Sequence, residues 1–156
     1  RLEKFHQTHL RRIAKIKWFH KVTNYEVLAR CKISSLESMI DTAKLRWTGH
    51  VVRMNDDRIP KELLYGRPAS GNPKRGNYNT YLKSIKNILR ACDINCMRLE
   101  DLASNRANWR TTVKAGIVRA ETNRINCLIE RRRKRKAKAD LAHLPAQPSQ
   151  VHTHPS

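Results

Sequence analysis

A chain of 156 residues with 33 Lys and Arg against 13 Asp and Glu carries a formal charge of +20, and a compact body with so much charge of one sign repels itself unless a polyanion neutralises it. The length suits one ordinary domain, or a small one with tails, and is enough to bury a core. No run of about 18 apolar residues and no signal-peptide pattern is present, so a membrane is not an expected partner, and scattered Cys31, Cys92, Cys96 and Cys127 do not form a secreted disulfide scaffold but suit a reducing compartment.

The chain opens at Arg1 with helical periodicity already running from Leu2. It is therefore expected to be a piece of something longer, with a missing N-terminal partner. Leu2, Phe5, Leu10, Ile13 and Ile16 predict an amphipathic helix to about residue 17, its apolar side facing a core. Thr23-x-x-Glu26 and Ser34-x-x-Glu37 have capping-box spacing and start two more helices. The second of these carries Leu36, Met39, Ile40, Ala43, Trp47, Val51 and Met54 along one face, which reads as core. Asn55, Asp56 and Asp57 stop it, and a short helix restarts near Pro60 and ends at Gly66.

Pro68, Gly71, Pro73 and Gly76 among Arg67, Lys74 and Arg75 predict a mobile basic loop. Helical spacing resumes at Tyr81, Leu82, Ile85, Ile88, Leu89 and Cys92, and a short helix begins at Leu99. Ser104 or Asn105 caps a final helix with Trp109, Val113, Ile117, Ala120, Ile125 and Leu128 on one stripe. Gly116 lowers helix stability by about 1 kcal/mol relative to Ala, so a bend is expected there. A nearly unbroken cationic run follows from Arg131 to Lys138, and the tail from Leu141 to Ser156 has too little apolar surface to order itself. The expected fold is all-α, about six helices with a basic Gly/Pro loop in the middle, a long C-terminal helix and a disordered tail. Its parts are 1–66, 67–80, 81–138 and 139–156, and the Trp47 and Trp109 stripes are expected to share one core.

Phosphate binding needs Lys and Arg displayed along a surface. Three places offer them: the polar face of residues 1–21, with Arg11, Arg12, Lys15 and Lys17 as its site residues; the loop from Arg67 to Arg75, with Arg67, Lys74 and Arg75; and the run from Arg131 to Lys138, with Arg131, Arg132, Arg133, Lys134, Arg135 and Lys136. Each could equally be a solvated face, and the last run serves as well for a nuclear localisation signal. Trp18, Phe19, Tyr78 and Tyr81 are the aromatics placed near basic stretches where bases could stack. Phosphate contacts position a protein while base-edge contacts specify, so no target sequence follows. Cys92-x-x-x-Cys96 and His152-x-His154 lie too far apart for a structural zinc site, and thiols without metal are preferred. No Cys or Ser has a His base at a suggestive spacing, and Asp56 with Asp57 lacks a third acid. Neither an enzyme nor a cofactor is expected.

The stretch Leu45-Arg46-Trp47-Thr48-Gly49-His50-Val51-Val52-Arg53-Met54, then Arg58-Ile59-Pro60-Lys61 and Leu64-Tyr65-Gly66, resembles an element of non-LTR (LINE-type) retrotransposon polyproteins that lies C-terminal to their reverse transcriptase domain. The likeness continues in Arg1-Leu2-Glu3-Lys4-Phe5-His6, Leu10-Arg11-Arg12-Ile13, Val22-Thr23-Asn24-Tyr25-Glu26-Val27-Leu28 and Ala103-Ser104-Asn105-Arg106-Ala107-Asn108-Trp109-Arg110, and several ordered blocks are more specific than one short motif. The resemblance implies a role in gripping RNA or DNA, the reverse transcriptase domain of the parent polyprotein as partner, and a nuclear location with a cytoplasmic ribonucleoprotein stage. It brings no catalytic residue, because the polymerase and endonuclease acids lie elsewhere in that family. Asn77, Asn79 and Thr80 with Tyr81-Leu82-Lys83 stand where relatives have a basic cluster and an aromatic-x-Asp element, and the tail has no Cys for the Cys2His2 finger some relatives carry. A host-captured or degraded fragment, acting as a nuclear protein-interaction module or having no independent function, is the alternative.

Overall fold

A computed structural model of the chain describes residues 1–65 and 81–142. They form an all-α structure, with no strand among the described residues and seven α-helices where about six are predicted. These are α1 (Leu2–Ile13), α2 (Asn24–Cys31), α3 (Leu36–Val52), α4 (Ile59–Tyr65), α5 (Tyr81–Ala91), α6 (Leu99–Ser104) and α7 (Arg106–Ala142), with short 3-10 turns at Trp18–His20 and Cys96–Arg98. The predicted Gly/Pro loop lies outside the described residues. So does the predicted tail beyond Ala142, while its first residues, 139–142, are the end of α7 and include helix-favouring Ala and Leu. Two compact units result, one up to Asn123 and one from Arg124.

Local signals account for most helix starts. The Thr23 N–H donates to Glu26 Oε2 at 2.7 Å, which is the returning half of a capping box. For α3 the cap is Ser35 and not Ser34: Ser35 Oγ accepts from the Ser38 N–H at 3.2 Å. The Ser35 N–H donates to Glu121 of α7 at 2.6 Å, so a carboxylate 86 positions away takes the place that Glu37 was expected to fill. Pro60 sits in the first turn of α4, where a missing N–H costs no hydrogen bond. Lys61 Nζ reaches back to the Met54 carbonyl at 2.9 Å and to Asp56 at 2.6 Å. That hydrogen bond, and the charge behind it, lower the Asp56 carboxyl below its ordinary value. Asn105, not Ser104, caps α7, its Oδ1 accepting from the N–H groups of Ala107 and Asn108.

The main core joins α3 to α7 through Leu45, Val52, Leu64, Ile85, Leu89, Leu99, Trp109, Val113 and Ile117, among others. Trp109 belongs to it as expected, at 1% exposure, but Trp47 does not: it is 46% exposed and meets the Tyr81 ring edge-on at 5.3 Å. The predicted α3 stripe is thus largely on the outside, with Met39, Ile40 and Ala43 exposed as well. Of that stripe Val51 is buried, and the other residues that α3 buries are Ser38, Leu45, Thr48, Gly49 and Val52. The reason is close approach. A Cβ on Gly49 would overlap the Trp109 indole, whose N–H donates to the Leu45 carbonyl at 3.0 Å. Burying the hydroxyls beside it leaves no unmet polar group, since Thr48 donates to the Lys44 carbonyl and Ser38 bonds Ser35 Oγ.

Gly116 is another approach point rather than a bend. α7 runs through it without interruption, and a Cβ there would lie 2.8 Å from Cys92 Cβ and 3.1 Å from the Cys92 carbonyl. A second, smaller cluster of Leu10, Ile16 and Val27, with Val22, Leu28 and Cys31 against it, holds α1 to α2. The predicted apolar side of α1 faces this cluster only in part: Leu10 is buried, with Gln7 beside it, while Leu2, Phe5 and Ile13 stand exposed. The helix stops at Ile13 because Lys15 turns to a positive φ of 52°, which carries Ile16 back into the cluster.

Partial burial, a hydrogen bond to Glu100 and that carboxylate's charge raise the Tyr65 phenol to about 12. Its folded value lies above the unfolded value of about 10, so the protonated phenol adds stability below about pH 10, which is lost as pH rises toward 12. Glu100→Gln should bring this phenol part of the way back toward 10 in an ultraviolet phenolate titration, with Tyr65→Phe identifying its share of the signal. A titration unchanged by Glu100→Gln would remove Glu100 as a cause.

Candidate nucleic-acid interface

The first predicted group sits at the end of α1 and the turn after it. Arg11 and Arg12 occupy the last helical turn, where cations complement the negative end of the helix. Arg11 is half-buried and engaged: its guanidinium donates to the Val22 carbonyl at 2.9 Å and to Asn24 Oδ1 at 2.8 Å, closing the turn against the start of α2. Arg12, Lys15 and Lys17 are exposed. The Lys17 ammonium lies 5.8 Å from the Phe19 ring centre. Lys21 closes the turn at a positive φ of 50° and belongs with this group, although it was not among the predicted site residues. Its place two residues after the Trp18–Phe19 pair was the available signal. Between Glu3 and Glu26 stand six Lys or Arg and no Asp or Glu, so no side-chain carboxylate within this stretch offsets them.

The last group lies on α7, where Arg131, Arg132, Arg133, Lys134, Arg135 and Lys136 are all exposed. Successive helix residues step by about 100°, following from 3.6 residues per turn, so these six charges ring the helix instead of lining one side. Arg131 with Arg135, and Arg132 with Lys136, are like charges four apart, which weakens a free helix by about 0.2–0.5 kcal/mol per pair. A bound polyanion would relieve that repulsion. Arg67, Lys74, Arg75 and Tyr78 lie outside the described residues. The α1 group belongs to the first compact unit and the α7 group to the second.

Two further cations face a cleft lined by Val52, Arg53, Lys61, Glu100 and Ser104. Both are engaged by the fold, Arg53 with the Ala103 carbonyl at 2.6 Å and Lys61 with Met54 and Asp56, so the cleft offers no ready anion site. Cys92 is buried and Cys96 half-buried, and among the described residues no three His, Cys, Asp or Glu gather to hold a metal ion. No helix among the described residues is long and apolar enough to cross a membrane. No protein-family model, no curated protein and no solved structure matches the chain.

Proposed function

We propose that this chain is a nucleic-acid-binding segment that grips phosphates, of the kind found C-terminal to the reverse transcriptase domain in non-LTR retrotransposon polyproteins, and that it performs no polymerase or endonuclease chemistry itself. The observation that carries the reading is the exposed cationic run on α7, seven Lys or Arg within residues 131–138. The acid-free stretch around the α1 turn supports it, as do the ordered sequence blocks of the resemblance. The polymerase domain of the parent polyprotein is the protein partner in this reading, and the α7 run doubles as a nuclear import signal.

Titration against single-stranded RNA, duplex DNA and an uncharged control surface at several salt concentrations tests it. Phosphate neutralisation releases counterions, with a log–log slope of about −0.9 per contact on duplex DNA and −0.7 on single strands. A chain engaging six or more phosphates loses about 10³-fold or more in affinity between about 50 and 200 mM salt. Absence of binding at low salt, or affinity indifferent to salt, overturns the proposal. A protein-interaction module is the second reading, favoured by the exposed Leu2, Phe5 and Ile13 of α1. Apolar contact of that kind is little weakened by salt.

A further inference from the structure

We propose that the Trp18–His20 turn is a stacking site for an unpaired nucleobase, with Lys15, Lys17 and Lys21 meeting the neighbouring phosphates. The inference deepens the phosphate-binding reading and rests on it. Trp18 is 89% exposed, more than any other aromatic among the described residues, and Phe19 beside it is 52% exposed. The two rings stand edge to face, with centroids 6.0 Å apart and planes at 81°. This indole surface is bare on a short, anchored turn, whereas Tyr81, another aromatic near a basic stretch, already packs on Trp47.

The turn is held from below. Ile16 is buried and Val22 half-buried in the small cluster with Leu10 and Val27, and Arg11 ties the Val22 carbonyl and Asn24 to the end of α1. Within the turn the Lys17 N–H donates to His20 Nδ1 at 3.2 Å and the Lys21 N–H to the Trp18 carbonyl at 3.3 Å. Lys15 and Lys21 bracket it at positive φ, a conformation that L residues seldom adopt. An aromatic face fixed in place loses little freedom on binding. Aromatic rings set among cations are the ingredients of single-strand sites that tolerate any sequence, since every base has a π face. A duplex keeps those faces stacked inside, so the occupant is an unpaired base of RNA or DNA. Insertion into a lipid surface would call for aliphatic neighbours at the tip, but the ring pair is flanked by Lys17 and His20 while Ile16 points its bulk into the core.

The test uses the full chain with a single-stranded oligonucleotide, as RNA and as DNA, an abasic strand of equal length and charge, and a duplex. Trp18→Ala should weaken binding to the base-bearing strand about tenfold, leave the abasic strand and the duplex within about twofold, and keep the salt slope. Trp18→Phe should retain most of the affinity. Strand-induced quenching of indole fluorescence in the wild type should disappear in Trp18→Ala, and unchanged melting should show that the fold is intact. Equal losses on base-bearing strands, abasic strand and duplex, or no loss on either base-bearing strand, overturn the stacking site. Trp18-dependent binding to anionic vesicles with strand binding unaltered overturns it in favour of a lipid surface. Steep salt dependence without a Trp18 effect leaves phosphate binding standing and removes only the stacking site, whereas no strand binding by the wild type removes both.

Discussion

Trp109→Ala is expected to destabilise the first compact unit by about 3–5 kcal/mol, the usual loss for a fully buried large aromatic. Trp47→Ala is expected to cost only about 1 kcal/mol, chiefly its edge-on contact with Tyr81. The large value follows because Trp109 fills the gap between α7 and α3, and its indole N–H is bonded to the Leu45 carbonyl. Gly49→Ala provides the sharper check. In an open helix position this change stabilises by about 1 kcal/mol, but here the new methyl meets the indole, and overpacking costs about 1–3 kcal/mol. Gly49→Ala should therefore destabilise the wild type and become neutral or favourable when Trp109 is already Ala, a coupling read from urea unfolding of the four chains. Additive effects would mean that the indole is not what Gly49 accommodates. Equal losses for Trp47→Ala and Trp109→Ala would contradict the burial difference itself.

Changing Arg131, Arg132, Arg133, Lys134, Arg135 and Lys136 together to Gln is the second large effect. These side chains ring α7, so roughly half of them reach any one phosphate backbone. Losing about three contacts flattens the duplex salt slope by about 2.7 and lowers affinity by about 100-fold near 0.1 M salt. Melting of the first compact unit should not move, because none of the six residues is in its core. The helical signal should stay the same or rise, since Gln is a good helix former and like charges four apart are removed. Unchanged affinity and slope would assign the run to nuclear import or to a solvated face. A drop in melting temperature would instead mean that the run supports the fold.

Several elements could be read directly from the residues because a single signal dominates each of them. Ile85, Ile88 and Leu89 on α5, Cys92 just after it, and Trp109, Val113, Ile117 and Ala120 on α7 are buried at the spacing their pattern predicts, whereas Ile125 and Leu128 at the end of the α7 stripe are half-buried and exposed. α5 and the first half of α7 each bury one apolar stripe. Thr23 with Glu26 marked the start of α2 because both partners of that cap lie within four residues. The charged groups could be found for the same reason, since a run such as Arg131 to Lys136 needs no partner to be visible. Whether each charge is available could not: Arg12 and Lys17 are exposed, but Arg11 is tied to Val22 and Asn24.

The all-α character and most helix starts were thus legible because interactions within about one helical turn set them, and the placement of charge is legible in the residues themselves. Which side of α3 is inside depends on packing between helices. That helix has one face of large apolar residues around Trp47 and another around Gly49 that mixes Leu45 and Val52 with Ser38 and Thr48, and hydrophobic periodicity favours the first. The second is buried because Gly49 admits Trp109, and because the hydroxyls of Ser38 and Thr48 find partners nearby. The α3 cap and Gly116 follow the same rule. Glu121 reaches Ser35 from 86 positions away, and Cys92 crowds Gly116. In all three cases the deciding atoms meet only once the helices have packed, and at Gly49 and Gly116 a neighbouring residue stands where a side chain would go, which requires a small residue that a pattern of large ones conceals.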